Sequence, residues 1–440
     1  MSAHRQLSWG GYPPHPQHLH DVVWRDQLRD RFGALINDHG QTLAFGNGRS
    51  YGDCCMAASD HVLHTRGLDR IIAFDAGEGT VTAEAGCTLE QILELAIPHG
   101  WFLPVTPGTC FVTLGGAVAN DVHGKNHHVR GTFGNHVDAF GLVRSDAPPM
   151  ICSPASNPSL FHATIGGLGL TGAIEWVSLR LMPIRSSRLD TLSVRFDSLD
   201  EFFALSDEHD PRHEYTVSWV DCCAKGARLG RGVFMAANHA NDGGLQVSRR
   251  NKLMVPITPP LSLVNRLTLK AFNHAYYHAH PAEPRQSRID YEPFFYPLDR
   301  ILHWNRIYGP SGFQQYQCVL PEPDGRDAIR QMLDAIAQSA TGSFLAVLKR
   351  CGDARSPGLL SFPMAGVSLA LDFPHKPKEM SRLFERLDAI VEQARGRLYP
   401  AKDAHMSGAA FRKAYPAYSE LARYKDPALT SRFWQRVTET

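Results

Sequence analysis

Residues 107–128 read PGTCFVTLGGAVANDVHGKNHH, a composition that fits no ordinary core helix or strand. The stretch holds four glycines and three histidines, with Lys125 between His123 and His127. Glycines this dense let backbone come very close to a ligand, and amides with no side chain in front of them suit phosphate. We therefore read it as the wall of a dinucleotide site, with the rest of the chain building a substrate pocket around it.

Two more glycine-dense loops accompany it. Gly46–Asp53 (GNGRSYGD) follows a short strand at Leu43–Phe45, and Gly166–Gly172 (GGLGLTG) feeds a strand over Ala173–Leu181 that Pro183 ends. Gly46-Asn47-Gly48 misses G-x-G-x-x-G by one residue and opens no helix, which argues against a Rossmann site. No G-x-x-x-x-G-K-[ST] occurs, which disfavours a P-loop nucleotidase. A single glycine loop is usually a tight turn, but three in one domain favour a ligand cradle.

Between the loops, apolar spacing predicts a helix over 20–38 and short strands at Val62–Thr65, Ile71–Phe74 and Thr80–Ala85. Thr88 with Gln91 forms a capping box for the next helix, whose buried face is Leu89, Ile92, Leu93 and Ala96. A strand follows at Val137–Val143 and a short helix at Leu160–Ala163. Such a mixture is α+β rather than a regular βαβ repeat. From about residue 187 the glycines thin out. Strand, helix, strand at Gln315–Leu320, Asp327–Ser339 and Phe344–Lys349 repeats as Val367–Phe373, Met380–Ala394 and Leu398-Tyr399, a ferredoxin-like layer. Met254–His280, apolar and proline-interrupted, reads as a mobile flap.

The 440 residues suggest two or three domains, and 43% hydrophobic with 20% charged residues is ordinary globular composition. A net charge of +1 gives no field for nucleic acid, so no nucleic-acid partner is expected. The nine cysteines form no CxxC, and reduced, mostly buried thiols are expected. The N-terminus shows no apolar h-region, and no window reaches the ~18 apolar residues of a membrane span. A cytoplasmic protein, peripheral to a membrane at most, is the expectation.

His123, His127 and His128 lack a companion Cys or carboxylate cluster, apart from Asp121, so no metal is expected there. They could equally face a cofactor or substrate, or be hydrogen-bonded in a loop. Lys402 reads as a surface lysine by composition. Gln315 and Gln317 share one face of a strand, and with Trp219 and Lys349 they fit either a pocket or a solvated sheet face.

Taken together, GNGRSYGD, PGTCFVTLGGA (107–117), DVHGKNHH (121–128) and GGLGLTG resemble the flavin domain of the vanillyl-alcohol oxidase superfamily. Within it the chain is most similar to the decaprenylphosphoryl-β-D-ribose 2′-oxidase family. The similarity continues through Trp304–Pro310, Phe313–Gln317 (FQQYQ) and Leu398–Asp403 (LYPAKD). The resemblance implies a PCMH-type FAD-binding domain over 1–186 and 397–440, with a substrate domain over 187–396 inserted between. It implies that FAD is held by Ala44, Phe45, Gly46, Asn47, Gly48, Arg49, Ser50, Tyr51, Gly52, Asp53 and Cys54. To these it adds Gly108, Thr109, Thr113, Leu114, Gly115, Gly116, Asn120, Asp121, Val122, His123, Ile174 and Tyr399. Members with covalent FAD carry a histidine where this chain has Tyr51, so the FAD is expected to be non-covalent.

The family oxidises the 2′-hydroxyl of a ribose linked through phosphate to a polyprenol, and a separate short-chain reductase completes epimerisation to the arabinose. Carried over, Lys402 resembles the base, with His123 near the flavin face. Lys125, Trp219, Gln315, Gln317 and Lys349 correspond to the sugar-phosphate pocket. Ser368 and Ala370 stand where the family has Asn and Cys, a departure bearing on substrate choice. The flap falls beside the family's substrate entrance, which suits a lipid tail and peripheral contact with the inner membrane. The rival readings are a sugar-alcohol or aldonolactone oxidoreductase of the same fold, and a non-catalytic flavoprotein scaffold.

Overall fold

A computed structural model describes residues 8–248, 252–339 and 341–439. Two sheets organise it. A five-stranded antiparallel sheet runs in the order Ile71–Asp75, Thr80–Glu84, Ala173–Arg180, Val137–Val143, Met150–Cys152. Against it pack the helices Leu89–Ala96 and Leu114–Ala119. Thr88 caps the first with the expected box: its hydroxyl accepts from the Gln91 amide while the Gln91 side chain takes the Thr88 amide. Ile92, Leu93 and Ala96 then join Val81, Ala83 and Val177 in one core.

Residues 20–38 fold differently from the expected helix. His18–Asp21 is a strand, paired in parallel with His61–His64, and only Leu28–His39 is helical. Val22, at the strand's end, is fully buried, so its apolar character serves the sheet rather than a helix face. Ala44–Phe45 pairs with the other side of His61–His64, closing a three-stranded parallel sheet that launches the loop at Gly46.

The second sheet has eight antiparallel strands in two units of four. The expected ferredoxin-like unit is present as Phe313–Leu320, helix Gly325–Gln338, Ala346–Cys351, Gly366–Pro374, helix Pro377–Gln393 and Arg397–Leu398. A second unit with the same strand order, built from residues 188–290, joins it edge to edge where Ser218 and Trp219 pair with Leu348 and Val347. The sequence reading did not anticipate this doubling, because residues 240–284 separate the unit's last two strands. Within that interval, helix Arg266–Ala279 is docked rather than loose: Leu269, Asn273 and Tyr277 are buried, and Asn273 donates to Asp221 at 2.8 Å. Its outer side and the segment before it remain apolar and exposed, with Ile257, Leu261 and Leu267 at 73%, 78% and 80%.

Residues beyond Leu398 return to the first half of the chain. Thr42 bridges Leu429, Ala57 bridges Ser431, and helix Arg432–Thr438 packs beside Asp53–Cys55. All nine cysteines are unbridged, seven of them buried.

Candidate active site

One continuous cavity of about 400 Å³ lies between the two sheets, and nearly every residue singled out from the sequence lines it. Its first wall is the loop after Phe45. A side chain at Gly46 would come within 2.4 Å of the Thr113 hydroxyl, and Gly48 has φ +59°, so glycine is required at both for the loop to lie where it does. Among the described residues, the amides of Gly46, Asn47, Gly48, Arg49 and Ser50 donate to nothing within the chain. The Arg49 guanidinium, stacked 4.1 Å over Trp9, is buried with its Nε unpaired. Opposite, a Cβ on Gly108 would meet nothing within 4 Å. Unpaired amides in a row, an unpaired guanidinium and open space beside a glycine suit the pyrophosphate of a dinucleotide. The residues present therefore fit FAD.

The opening stretch contributes in another way than its glycines suggested. Thr113 caps helix Leu114–Ala119 by accepting from the Gly116 amide at 3.3 Å. The amides of Leu114 and Gly115 are spent on Cys87 and Ala85 carbonyls, at 2.8 Å each. Gly115 faces Ala85, where a Cβ would stand only 3.0 Å from its methyl. Gly115 thus lets two backbones close together and shapes the wall.

Deeper in, His123 lies between Phe362 and Tyr399, with ring centroids 5.3 and 5.4 Å away. Its Nε2 is 3.1 Å from the Gln317 side-chain nitrogen, a donor, so Nε2 accepts and the proton resides on Nδ1, which has no partner. Burial, helped by the Lys349 charge, holds this ring far below its ordinary pKa, so it is a neutral donor. Lys402 is half-buried against the cavity, its ammonium 3.7 Å from the centre of the Tyr51 ring. Among the described residues no carboxylate lies within salt-bridge distance of it, and burial draws its pKa down to about 8 against the opposing pull of Asp372 and Cys54. The cost to the charged form is on the order of 3 kcal/mol.

The second wall is one face of the eight-stranded sheet. Strand register places Ala370 between Gln317 and Val347, Gln315 beside Asp372, and Lys349 beside Ser368. The Gln315 amide donates to Asp372 Oδ1 at 2.6 Å, while Oδ2 is buried and unpaired, and burial pushes this carboxyl up to about 7. Lys349 donates to the Gly124 carbonyl at 2.6 Å. Lys125 donates to the carbonyls of Phe294 and Phe295, and burial with Lys349 nearby draws it down to about 7. Two lysines without a carboxylate partner form a receptor for an anion, whose arrival restores their charge. Around them Val217, Pro297, Leu298, Ile301, Leu302 and Leu345 make an apolar lining.

Five expected residues stand behind the wall instead of lining it. Gly52 abuts the Asp403 carbonyl, which a Cβ would strike at 1.7 Å. Asp53 is held by Arg436 at 2.8 Å, and Leu114 is core. Asp121 accepts from the Gly134 amide and the Ser356 and Ser361 hydroxyls. Trp219 donates to the Phe344 carbonyl at 2.9 Å and packs on Tyr276. Sequence reasoning missed Asp372, although the alternation of 368, 370 and 372 along one strand face would have found it. It also missed Asp299, which accepts from the Cys110 amide at 2.8 Å and closes the cavity beside Arg49. Behind Lys402, Arg436 bridges Asp403 and Asp53 at 2.9 and 2.8 Å, and His405 meets Asp403 at 3.1 Å. This knot fixes the residue beside Lys402 to the loop that begins at Gly46.

Comparison with known proteins agrees with this geometry. Residues 33–153 match the model of an FAD binding domain. Decaprenylphosphoryl-β-D-ribose oxidase of Mycolicibacterium smegmatis is 34% identical over 394 residues, which cover 87% of this chain and 85% of that protein. An uncharacterized Streptomyces coelicolor protein is 33% identical over 78% of this chain and 96% of its own length. L-gulonolactone oxidase 5 of Arabidopsis thaliana is 28% identical over 144 residues, 30% of this chain and 23% of the plant protein. The cofactor cradle, the half-buried lysine and a relative aligned along most of both chains lead to one assignment: the protein belongs to the decaprenylphosphoryl-β-D-ribose oxidase family of FAD-dependent oxidoreductases.

Proposed function

We propose that the protein oxidises the 2′-hydroxyl of a polyprenylphosphoryl-β-D-ribose to the 2′-ketone. The observation that carries this is Lys402, a half-buried amine with no ion-pair partner among the described residues, in the same cavity as the unpaired amides of Gly46–Ser50. Bound FAD supplies the acceptor for the hydride that leaves the carbinol carbon. Lys402, neutral in a large fraction of molecules near pH 8, takes the hydroxyl proton. His123, neutral with Nδ1–H free, hydrogen-bonds the sugar oxygen and stays uncharged throughout. Lys125 and Lys349 hold the phosphodiester, and Gln315 and Gln317 orient the ring. Tyr51 stands where covalent members carry histidine, so FAD is released when the protein is denatured.

Residues 1–186 and 397–440 would form the cofactor domain around the inserted 187–396; the Thr42–Leu429 and Ala57–Ser431 bridges support that division. The apolar lining supports a prenyl carrier. Ile301–Leu302, in the cavity wall, pair with Leu253–Met254, which are exposed and lead into the apolar surface around Ile257 and Leu261. That surface supports peripheral contact with a membrane, and among the described residues no helix is long and apolar enough to cross one. The keto product requires a second enzyme, a short-chain reductase, to set the opposite configuration.

Anaerobic titration tests the assignment. A prenylphosphoryl ribose should bleach the flavin's visible absorbance stoichiometrically, and free ribose or an aldonolactone should not. Bleaching by soluble sugars with indifference to the lipid phosphate would sink it.

A further inference from the structure

Away from the cavity, three histidines from three different elements converge on the protein surface. His20 belongs to strand His18–Asp21, His61 begins the parallel neighbour His61–His64, and His39 is the last residue of helix Leu28–His39. His20 Nε2 and His61 Nδ1 are 2.9 Å apart, and the His39 ring stacks on His61 at 3.5 Å with the planes 12° apart. One ring nitrogen from each lies within 4.8 Å of the other two, and among the described residues no other trio of His, Cys, Asp or Glu converges this way.

We propose that His20, His39 and His61 bind one divalent first-row transition ion of the zinc class, with water completing the coordination. Zinc takes imidazole nitrogens at about 2.0–2.1 Å, which sets them about 3.3 Å apart around a tetrahedral ion, so the His20–His61 contact need only open slightly while the third nitrogen draws in. His39 can supply that movement, because it is exposed and ends its helix, whereas His20 and His61 are half-buried in the sheet. His18 stacks on the outer face of His61 at 4.7 Å and restrains that ring. Three imidazoles without thiolate or carboxylate suit zinc, copper or nickel and not magnesium or calcium. The sequence reading expected no metal and weighed only His123, His127 and His128, so this site departs from it. An ion here would clamp the end of helix Leu28–His39 to the sheet whose third strand launches the Gly46 loop.

The test uses full-length, FAD-loaded protein stripped with a chelator and then dialysed against Zn²⁺. One zinc per chain is expected, with affinity about tenfold or more weaker in His39→Ala and in His61→Ala. Zinc should also raise the thermal unfolding midpoint of the parent and not of the variants. His39→Ala alters an exposed helix end, so its circular dichroism and FAD content should match the parent's and separate ligand loss from misfolding. A parent that retains no stoichiometric zinc, or variants that retain it equally well, would overturn the proposal.

Discussion

Gly46–Ser50 and the sheet face bearing Gln315, Lys349 and Asp372 border one cavity with different chemistry. The loop presents main-chain amides, neutral and fixed by the backbone path, with Arg49 the one cation among its residues. The sheet face presents an amide, an amine and a carboxyl from strands up to 57 residues apart, held by register, and the last two titrate. The first arrangement binds an anion at any pH the fold survives. The second changes its charge within the working range, which is what a proton transfer needs.

Removing Lys402 should separate the two walls most widely. In Lys402→Ala, FAD should remain bound while substrate-driven flavin reduction, followed by stopped flow, falls about 10²- to 10⁴-fold. Unchanged reduction would take Lys402 out of the reaction. The converse variant, Gly46→Val, drives a side chain into Thr113, and purified protein should lose most of its FAD while its circular dichroism persists.

Next in size is the anion receptor. Lys349→Gln should raise KM for the prenylphosphoryl sugar about tenfold and alter kcat less, because it removes a contact to a group that does not react. A smaller effect tests the pairing of Asp372 with Lys402. The parent's reduction rate should rise with pH through about 8, as Lys402 becomes neutral, and then level. Ionised Asp372 holds the Lys402 proton more tightly, so Asp372→Asn should move that rise to lower pH. A rise left in place, or moved to higher pH, would separate the two groups. The smallest change is expected from Ser368→Asn, which should leave flavin reduction within about twofold and shift preference among prenylphosphoryl pentoses.

The same contrast explains what could be read from the sequence. The cofactor loop was legible because its donors are consecutive residues and glycine marks the close approach. Strand Val137–Val143 and the Thr88 capping box were legible because their signals are local. The region 20–38 misled because buried Val22 has the same apolar signature in a strand as in a helix, and parallel pairing with His61–His64 decides which. By composition Lys402 looked like a surface lysine, and Lys349 fitted a pocket or a solvated sheet face alike, since nothing nearby in sequence shows that a sheet and a loop will enclose them. Asp372 is different: the alternation with 368 and 370 marks its face, but its partner Gln315, 57 residues earlier, does not show in the sequence. The free-amide count could not be read at all. Both glycine stretches look alike, yet Leu114 and Gly115 spend their amides on Cys87 and Ala85 while those of Gly46–Ser50 stay free among the described residues.

The knot of Asp53, Asp403, His405 and Arg436 has a consequence for how the enzyme is made. Chains leave the ribosome N-terminus first, at about 5–20 residues per second. The cofactor loop is therefore synthesised long before Lys402, and Lys402 well before the arginine that fastens its neighbour to that loop. Until helix Arg432–Thr438 docks, the loop at Gly46–Asp53 and the residue beside Lys402 lack the arginine that ties one to the other.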